Sequence, residues 1–325
     1  MKAIQCVAWG GPEKLRLVDG PLPAPAAGEV RIRVEAAGVN FPDALIIQRK
    51  YQVQPSLPFV PGTEVAGTVD AVGDGVTHFS GGERVVAFVG IGGFAEYVCA
   101  SQAQVAPLPQ AIDTAVAAAF TLTYATSQHA LIERGRLQRG ETLLVLGAGG
   151  GVGLAAVELG KLAGARVIAA ASSADKLQAA RGCGADELVD YTRTDLREAV
   201  KSATDGRGAD LAYDPVGGDY TAAALRSLAW RGRLLVIGFA AGGIPQIPAN
   251  LLLLRELSAV GVYWGEFAKR DPAGNRALMT QLFGWLAEGR LRPVVSKQYP
   301  LAETPTALRE LLERRAVGKL VIRPA

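Results

Sequence analysis

The segment LLVLGAGGGVGLAAVELGK at 143–161 constrains the fold most strongly. An apolar run enters a glycine-rich turn in which Ala148, Gly150 and Gly153 stand at the three small-residue positions of the dinucleotide fingerprint. Small residues permit a tight turn and let backbone N–H groups approach a pyrophosphate, which the following helix N-terminus also favours. A flexible glycine-rich loop is the alternative, but the flanking strand and helix patterns argue against it. The predicted contacts are Gly149, Gly150, Gly151 and Val152.

The residues after the next strand indicate which nucleotide this turn would bind. An NAD site usually places an Asp or Glu about 20 residues further on, for the ribose 2′-hydroxyl. Here the strand ends in Ala171, Ser172 and Ser173, and Lys176 follows, so a 2′-phosphate is accepted and NADPH is favoured over NADH. Alternatively, Ser172 only caps a helix and Lys176 is a surface lysine that Asp175 could partly neutralise.

Strand and helix patterns alternate from the fingerprint onward, which is typical of parallel βαβ units. Six strands in this order predict a doubly wound Rossmann sheet of the α/β class. The predicted strands are 142–146, 166–171, 187–191, 210–213, 233–237 and 257–262.

The first third of the chain has a different pattern. Short runs that alternate apolar and polar residues, such as 29–36, are separated by Gly and Pro clusters, which is typical of a small β-barrel. We therefore predict two domains: residues 1–122, completed by 266–325, form the catalytic β-barrel domain, and residues 123–265 form the nucleotide-binding Rossmann domain.

Composition excludes several classes of protein. The net charge of +3 over 325 residues gives no dense basic stripe for nucleic acid. No signal-like or membrane-spanning apolar run is seen, so we expect a cytoplasmic protein. Three scattered cysteines and two histidines argue against disulfides and against a zinc site, so no metal is expected.

Several motifs together resemble the quinone oxidoreductase and zeta-crystallin-like branch of the zinc-independent medium-chain dehydrogenases/reductases. The resemblance covers nearly the whole chain. Its motifs are GVNFPDALI at 38–46, KYQVQPSLPFVPGTEVAG at 50–67, TLTYATSQHAL at 121–131, LGAGGGVG at 146–153, YDPVGG at 213–218 and VGKLVI at 317–322.

This resemblance implies a GroES-like barrel domain, bound NADPH, a homodimer and a set of site residues. Asn40 and Thr126 would approach the nicotinamide, and Lys319 would reach the cofactor from the last strand. The residues implied around the adenosine phosphate are Ser172, Ser173, Lys176 and Tyr191. Those implied around the nicotinamide are Val216, Gly238, Phe239 and Trp264.

The resemblance also implies the chemistry. Zinc-dependent relatives carry a ligand Cys and His where this chain has Asn40 and Thr63, so zinc-independent hydride transfer to a quinone is expected. Asn40 would orient the substrate oxygen, and Tyr51 or solvent would supply a proton; both residues could equally be structural. A 2-alkenal, enone or enoyl reductase is one alternative, and an NADPH-binding structural protein with little turnover is another.

Overall fold

Fifteen strands and eleven α-helices are formed within residues 1–324, the part of the chain that the computed structural model describes. The strands are β1 Lys2–Cys6, β2 Leu15–Asp19, β3 Glu29–Val39, β4 Glu64–Val72, β5 Arg84–Phe88, β6 Tyr97–Ser101, β7 Val105–Pro107, β8 Thr142–Leu146, β9 Arg166–Ala171, β10 Glu187–Asp190, β11 Ala209–Asp214, β12 Leu228–Val236, β13 Ser258–Gly261, β14 Val295–Pro300 and β15 Lys319–Arg323. The helices are α1 Phe41–Ile46, α2 Thr114–Ala118, α3 Thr121–Gln128, α4 Gly151–Leu162, α5 Ala174–Gly182, α6 Leu196–Ala203, α7 Asp219–Ser227, α8 Ala249–Arg255, α9 Trp264–Arg270, α10 Pro272–Ala287 and α11 Thr304–Leu312.

The first of two compact units comprises Met1–Leu122 and the segment that starts at Pro293. Six strands of its seven-stranded sheet have the order β14-β15-β3-β4-β5-β7, and the seventh, β6, pairs with β3. The long strand β3 pairs with β4 on one edge, and with β6 and then β15 on the other. Val30, Ile32 and Val34 are buried, as their alternation with polar residues predicted.

A glycine in β3 allows a helix to approach the sheet directly. A Cβ at Gly38 would lie 2.1 Å from the carbonyl oxygen of Ala118, at the end of α2, and 2.4 Å from Glu64 Oε1. Only a residue without a side chain leaves room for both groups. The absence of a side chain at Gly38 therefore lets the end of α2 and the Glu64 carboxylate pack against β3 just before Asn40.

The second unit, Thr123–Arg292, contains a six-stranded sheet in the order β10-β9-β8-β11-β12-β13. All neighbouring strands are parallel. The strand order reverses between β8 and β11, so their carboxyl ends form the switch point where doubly wound sheets bind ligands. All five residues of β8 are buried, as expected for a parallel strand covered on both faces. The predicted Rossmann sheet is confirmed.

The contacts of α9 and α10 place residues 266–292 in the second unit, whereas the sequence assigned them to the first domain. The Phe267 ring stacks on His129 with centroids 4.3 Å apart, and Gln281 Oε1 accepts a hydrogen bond from Gln128 Nε2 at 3.1 Å. Helix α10 also buries four apolar side chains. The chain therefore returns to the first unit near Pro293. Among residues 1–324, no helix combines the length and the apolar character needed to span a bilayer.

Candidate functional site

The turn between β8 and α4 owes its shape to two glycines. Gly147 has φ +56°, a left-handed conformation that favours glycine. A Cβ at Gly153 would lie 2.3 Å from the Gly147 carbonyl oxygen, so the third fingerprint position permits the close approach of helix and turn.

Gly150 has a different environment from Gly153. It is the N-cap of α4, and a Cβ there would meet no atom closer than the Gly147 oxygen at 3.5 Å. The fold itself therefore tolerates a side chain at Gly150. The space that a Cβ would fill lies beside the first amides of α4, whose N–H groups have no partner within the helix. This is the space that a diphosphate would need.

The four residues predicted around the adenosine phosphate lie together. The β9–β10 ladder ends at the pair Ala171 and Asp190, so Ser172 and Tyr191 follow side by side. Lys176 Nζ donates to Ser172 Oγ at 3.4 Å. Ser173 is the N-cap residue of α5, but its side chain makes no capping hydrogen bond.

Two contacts extend this group. A Cβ at Gly149 would lie 2.3 Å from Lys176 Cβ, so the lysine passes directly over the glycine-rich turn. The Tyr191 ring packs against Tyr220 with centroids 4.5 Å apart. Sequence reasoning missed Tyr220, because its contact with Tyr191 depends on how α7 packs.

The loop after β11 is held by a buried carboxylate. Asp214 Oδ1 accepts hydrogen bonds from the N–H groups of Val216 and Gly217, both at 2.9 Å, and its Oδ2 accepts one from Thr221 at 2.6 Å. A Cβ at Gly147 would lie 3.0 Å from Val216 Cγ2, so this loop contacts the nucleotide turn. Asp214 was missed, although an Asp before a Gly-rich turn often bonds to backbone in this way.

The predicted nicotinamide residues of the second unit lie at three places: beside the Asp214 loop, at the start of α9 and on α3. Gly238 and Phe239 follow β12 beside the Asp214 loop, because a Cβ at Gly217 would lie 2.9 Å from the Phe239 ring. Trp264 is 4% exposed at the start of α9, and its indole donates to Asn275 Oδ1 at 2.9 Å. Thr126 is half-buried on α3.

Ser127, the neighbour of Thr126, connects α3 to the nucleotide turn. Its hydroxyl donates to the Val152 carbonyl at 3.1 Å and lies 2.9 Å from the Tyr213 hydroxyl. Complete burial raises the pKa of Tyr213 well above its ordinary value. These contacts fix the first turn of α4 against β11, at the switch point of the sheet.

The first unit brings Asn40 and Lys319 together, in a polar cluster that also contains Glu64. Lys319 Nζ donates to Asn40 Oδ1 at 2.5 Å, to Glu64 Oε1 at 2.9 Å and to the Val39 carbonyl at 3.1 Å. Asn40 Nδ2 donates to Glu64 Oε1 at 2.8 Å and to Thr63 Oγ1 at 3.1 Å. Glu64 is fully buried, and its Oε2 accepts the Leu122 N–H at 2.8 Å.

Asp43 adds a second buried carboxyl group beside this cluster. Its Oδ2 accepts the Asn40 backbone N–H at 2.8 Å. Burial raises the pKa of Asp43 to about 7, while the Asn40 N–H and the Lys319 charge lower it and the Glu64 charge raises it. Sequence reasoning missed both Glu64 and Asp43 as partners of Asn40.

Tyr51, the predicted proton donor, follows α1 and packs half-buried against the core of the first unit. Within residues 1–324, no group of three or more His, Cys, Asp or Glu side chains is placed to hold a metal ion.

Each of the two units matches a known protein family. Residues 26–110 match the alcohol dehydrogenase GroES-like domain, and residues 151–280 match the zinc-binding dehydrogenase family. The chain is 41% identical to a quinone oxidoreductase-like protein 2 homolog of Nematostella vectensis, over 90% of this chain and 81% of that protein. It is 36% identical to a quinone oxidoreductase of Pseudomonas aeruginosa, over 99% of both chains.

Solved structures give the same result over the full length. Escherichia coli quinone oxidoreductase complexed with NADPH has a TM-score of 0.93 at 31% identity, with all of both chains covered. A quinone oxidoreductase of Pseudomonas syringae has a TM-score of 0.92 at 33% identity, with 99% of both chains covered. The predicted fold class, a GroES-like domain joined to a Rossmann domain, is thereby confirmed. The chain belongs to the quinone oxidoreductase family of the medium-chain dehydrogenases/reductases, and it is an oxidoreductase.

Proposed function

We propose that this chain uses NADPH to reduce a quinone and needs no metal ion. The observation that carries the proposal is the group formed by Ser172, Lys176 and Tyr191 at the ends of β9 and β10. It offers a cation and hydroxyl groups where an NAD site would place a carboxylate, which suits a 2′-phosphate.

The residues of the nucleotide turn fit the remainder of the cofactor. The open space at Gly150 and the first amides of α4 would hold the diphosphate, through Gly149, Gly150, Gly151 and Val152. The residues proposed to line the nicotinamide are Thr126, Val216, Gly238, Phe239 and Trp264.

When bound, NADPH supplies a hydride, and a quinone that gains this hydride and one proton becomes a hydroquinone. The acceptor needs no Lewis acid, because a quinone already has a low-lying site for hydride. Asn40 is proposed to orient the acceptor oxygen as it becomes a hydroxyl: Oδ1 has two lone pairs, Lys319 uses one, and the other can accept a hydrogen bond from the O–H that forms. Tyr51 or solvent is proposed to supply the proton.

The zinc-independent assignment rests on the donor atoms near Asn40. The amide of Asn40 and the hydroxyl of Thr63 are neutral, and Asn40 Nδ2 donates to both Thr63 Oγ1 and Glu64 Oε1. Zinc in proteins prefers thiolate, imidazole and carboxylate ligands, so this amide and hydroxyl do not fit it. Dialysis against a chelator should leave turnover unchanged, and a loss that zinc restores would contradict this assignment.

The decisive experiment compares Lys176→Ala with the wild type in binding of NADPH and NADH. Loss of a charge-assisted hydrogen bond should weaken NADPH by about 10- to 100-fold and leave NADH nearly unchanged. Fluorescence titration without acceptor measures both affinities. The matched control is Lys201→Ala, an exposed lysine of the same unit. Equal weakening of both nucleotides would contradict the proposed phosphate pocket.

The substrate class needs a separate assay. Steady-state oxidation of NADPH with a benzoquinone, with 9,10-phenanthrenequinone and with a short 2-alkenal should show quinones as the preferred acceptors. Preference for the alkenal would favour an enone reductase, and binding without consumption would favour a structural protein. The homodimer and the cytoplasmic location remain predictions.

A further inference from the structure

Lys319 is almost fully enclosed within the first unit. Its side chain is 5% exposed, and its ammonium has three acceptors: the Val39 carbonyl, Asn40 Oδ1 and Glu64 Oε1. An ammonium group has three N–H donors and no acceptor. Because every donor has a partner inside the first unit, none is left for a phosphate of the cofactor.

The carboxamide of Asn40 is held from both ends by opposite charges. The Lys319 ammonium lies 2.5 Å from its oxygen, and the Glu64 carboxylate lies 2.8 Å from its nitrogen. The flipped amide would point its N–H donors at the ammonium and its oxygen at the carboxylate, and both contacts would be repulsive. The ion pair therefore selects one orientation of the Asn40 amide.

Stability alone is a poor explanation for this ion pair. Glu64 is fully buried, and moving two charges out of water often costs as much as their attraction returns. Apolar residues of similar volume commonly fill such a site equally well. What apolar residues cannot do is fix the direction of an amide dipole.

We propose that Lys319 is a positioning residue, which together with Glu64 orients Asn40 toward the electron acceptor and does not bind the cofactor. The inference rests on the proposed function, in which Asn40 contacts the acceptor. The lone pair of Oδ1 that Lys319 leaves unused then accepts the hydroxyl that forms on the reduced acceptor.

Lys319→Met, Asn40→Ala and the double variant test this inference. NADPH affinity is measured by fluorescence titration without acceptor, and kcat and KM are measured with a quinone at saturating NADPH. For Lys319→Met we expect an NADPH affinity within about 2-fold of wild type and a kcat lowered by about 10- to 100-fold. The double variant should be no slower than Asn40→Ala, because both changes remove the same interaction.

Two further variants make the result interpretable. Lys319→Met leaves Glu64 buried without its partner, so Glu64→Gln combined with Lys319→Met is measured as well, because it removes both charges together. The matched control is Lys297→Met on β14, where the lysine side chain is 53% exposed. We expect the pair variant to show the same loss of kcat and the control to show none.

The overturning results are specific to this inference. If Lys319→Met weakens NADPH 10-fold or more at unchanged kcat, the lysine is a cofactor ligand. Losses that add up in the double variant would also overturn the proposal, because Lys319 would then act independently of Asn40. A wild-type chain that neither binds nor consumes NADPH would instead refute the proposed function.

Discussion

The two units build their polar sites in opposite ways. In the second unit, the groups around the glycine-rich turn come from successive βα connections, and they leave backbone amides and an open space beside Gly150. In the first unit, the groups around Asn40 come from distant parts of the chain, since Lys319 is 279 residues away, and they enclose buried charges. A site made from contiguous segments can thus be recognised from local sequence patterns, whereas Asn40 and Lys319 are indicated only by the family resemblance, and their contact with each other by neither.

The buried charges of the first unit give the largest expected effect. Asp43 has a pKa of about 7 in the folded chain against an ordinary 3.8, so folding favours its protonated form. The free energy of unfolding should therefore fall as pH rises from about 4 to 7, by up to about 4 kcal/mol, and stay level above that. Asp43→Asn should lack this fall and be the more stable protein at pH 8.

Urea unfolding of both proteins at several pH values between 4 and 8 measures this difference. The charged groups around Asp43 are Lys319 and Glu64, and both stay in place in the variant. Parallel stability curves for wild type and variant would show that the carboxyl group ionises normally in the folded state.

The second-largest effect is expected at Gly153, where the glycine-rich turn of the second unit is closely packed. In Gly153→Ala the new Cβ meets the backbone at Gly147 and Ala148, at 2.3 and 2.8 Å. Forcing these apart should cost about 1–3 kcal/mol of stability, measured by urea unfolding. Gly182→Ala is the matched control, because a Cβ there meets nothing within 4 Å. Equal stability of the two variants would contradict the tight helix–turn contact.

Gly150→Ala should separate binding from stability. The added Cβ makes only an ordinary contact at 3.5 Å in the folded chain, so the unfolding free energy should change little. The same Cβ would occupy the space proposed for the diphosphate. NADPH and NADH should therefore both bind at least about 10-fold more weakly in fluorescence titrations, which corresponds to about 1.4 kcal/mol. Unchanged affinities would place the diphosphate elsewhere.

The smallest effect concerns the buried hydroxyl at the switch point. Tyr213→Phe removes the hydrogen bond to Ser127 and should lower the unfolding free energy by about 1 kcal/mol. The midpoint of urea unfolding should fall at unchanged slope. Tyr263→Phe serves as the control, because that side chain is exposed. If the midpoint of urea unfolding equalled that of the wild type, the Tyr213 hydroxyl would contribute nothing to stability.

These differences explain how much of the fold and of the candidate site could be predicted from the sequence. The Rossmann sheet and the glycine turn follow from contiguous patterns, and the group around Lys176 follows from the strand order. Glu64 carries no signal of its own, because a carboxylate in a strand has no distinctive spacing. Asp43 stands three residues after the N-cap Asn40, which is the spacing of a capping box, but this pattern indicates a helix start and not a buried charge. The contacts of Glu64 and Lys319 with Asn40 arise only when β3, β4 and β15 pair in the observed register, whereas Asp43 contacts Asn40 locally at the start of α1.

The position of Lys319 in the last strand also bears on how the protein is made. The ammonium that neutralises Glu64 belongs to β15, whereas Glu64 lies in β4. During synthesis the ribosome therefore completes every strand of the Rossmann sheet before it adds this lysine. Until then the nascent first unit lacks both the counterion of Glu64 and the strand that pairs with the Val39 end of β3.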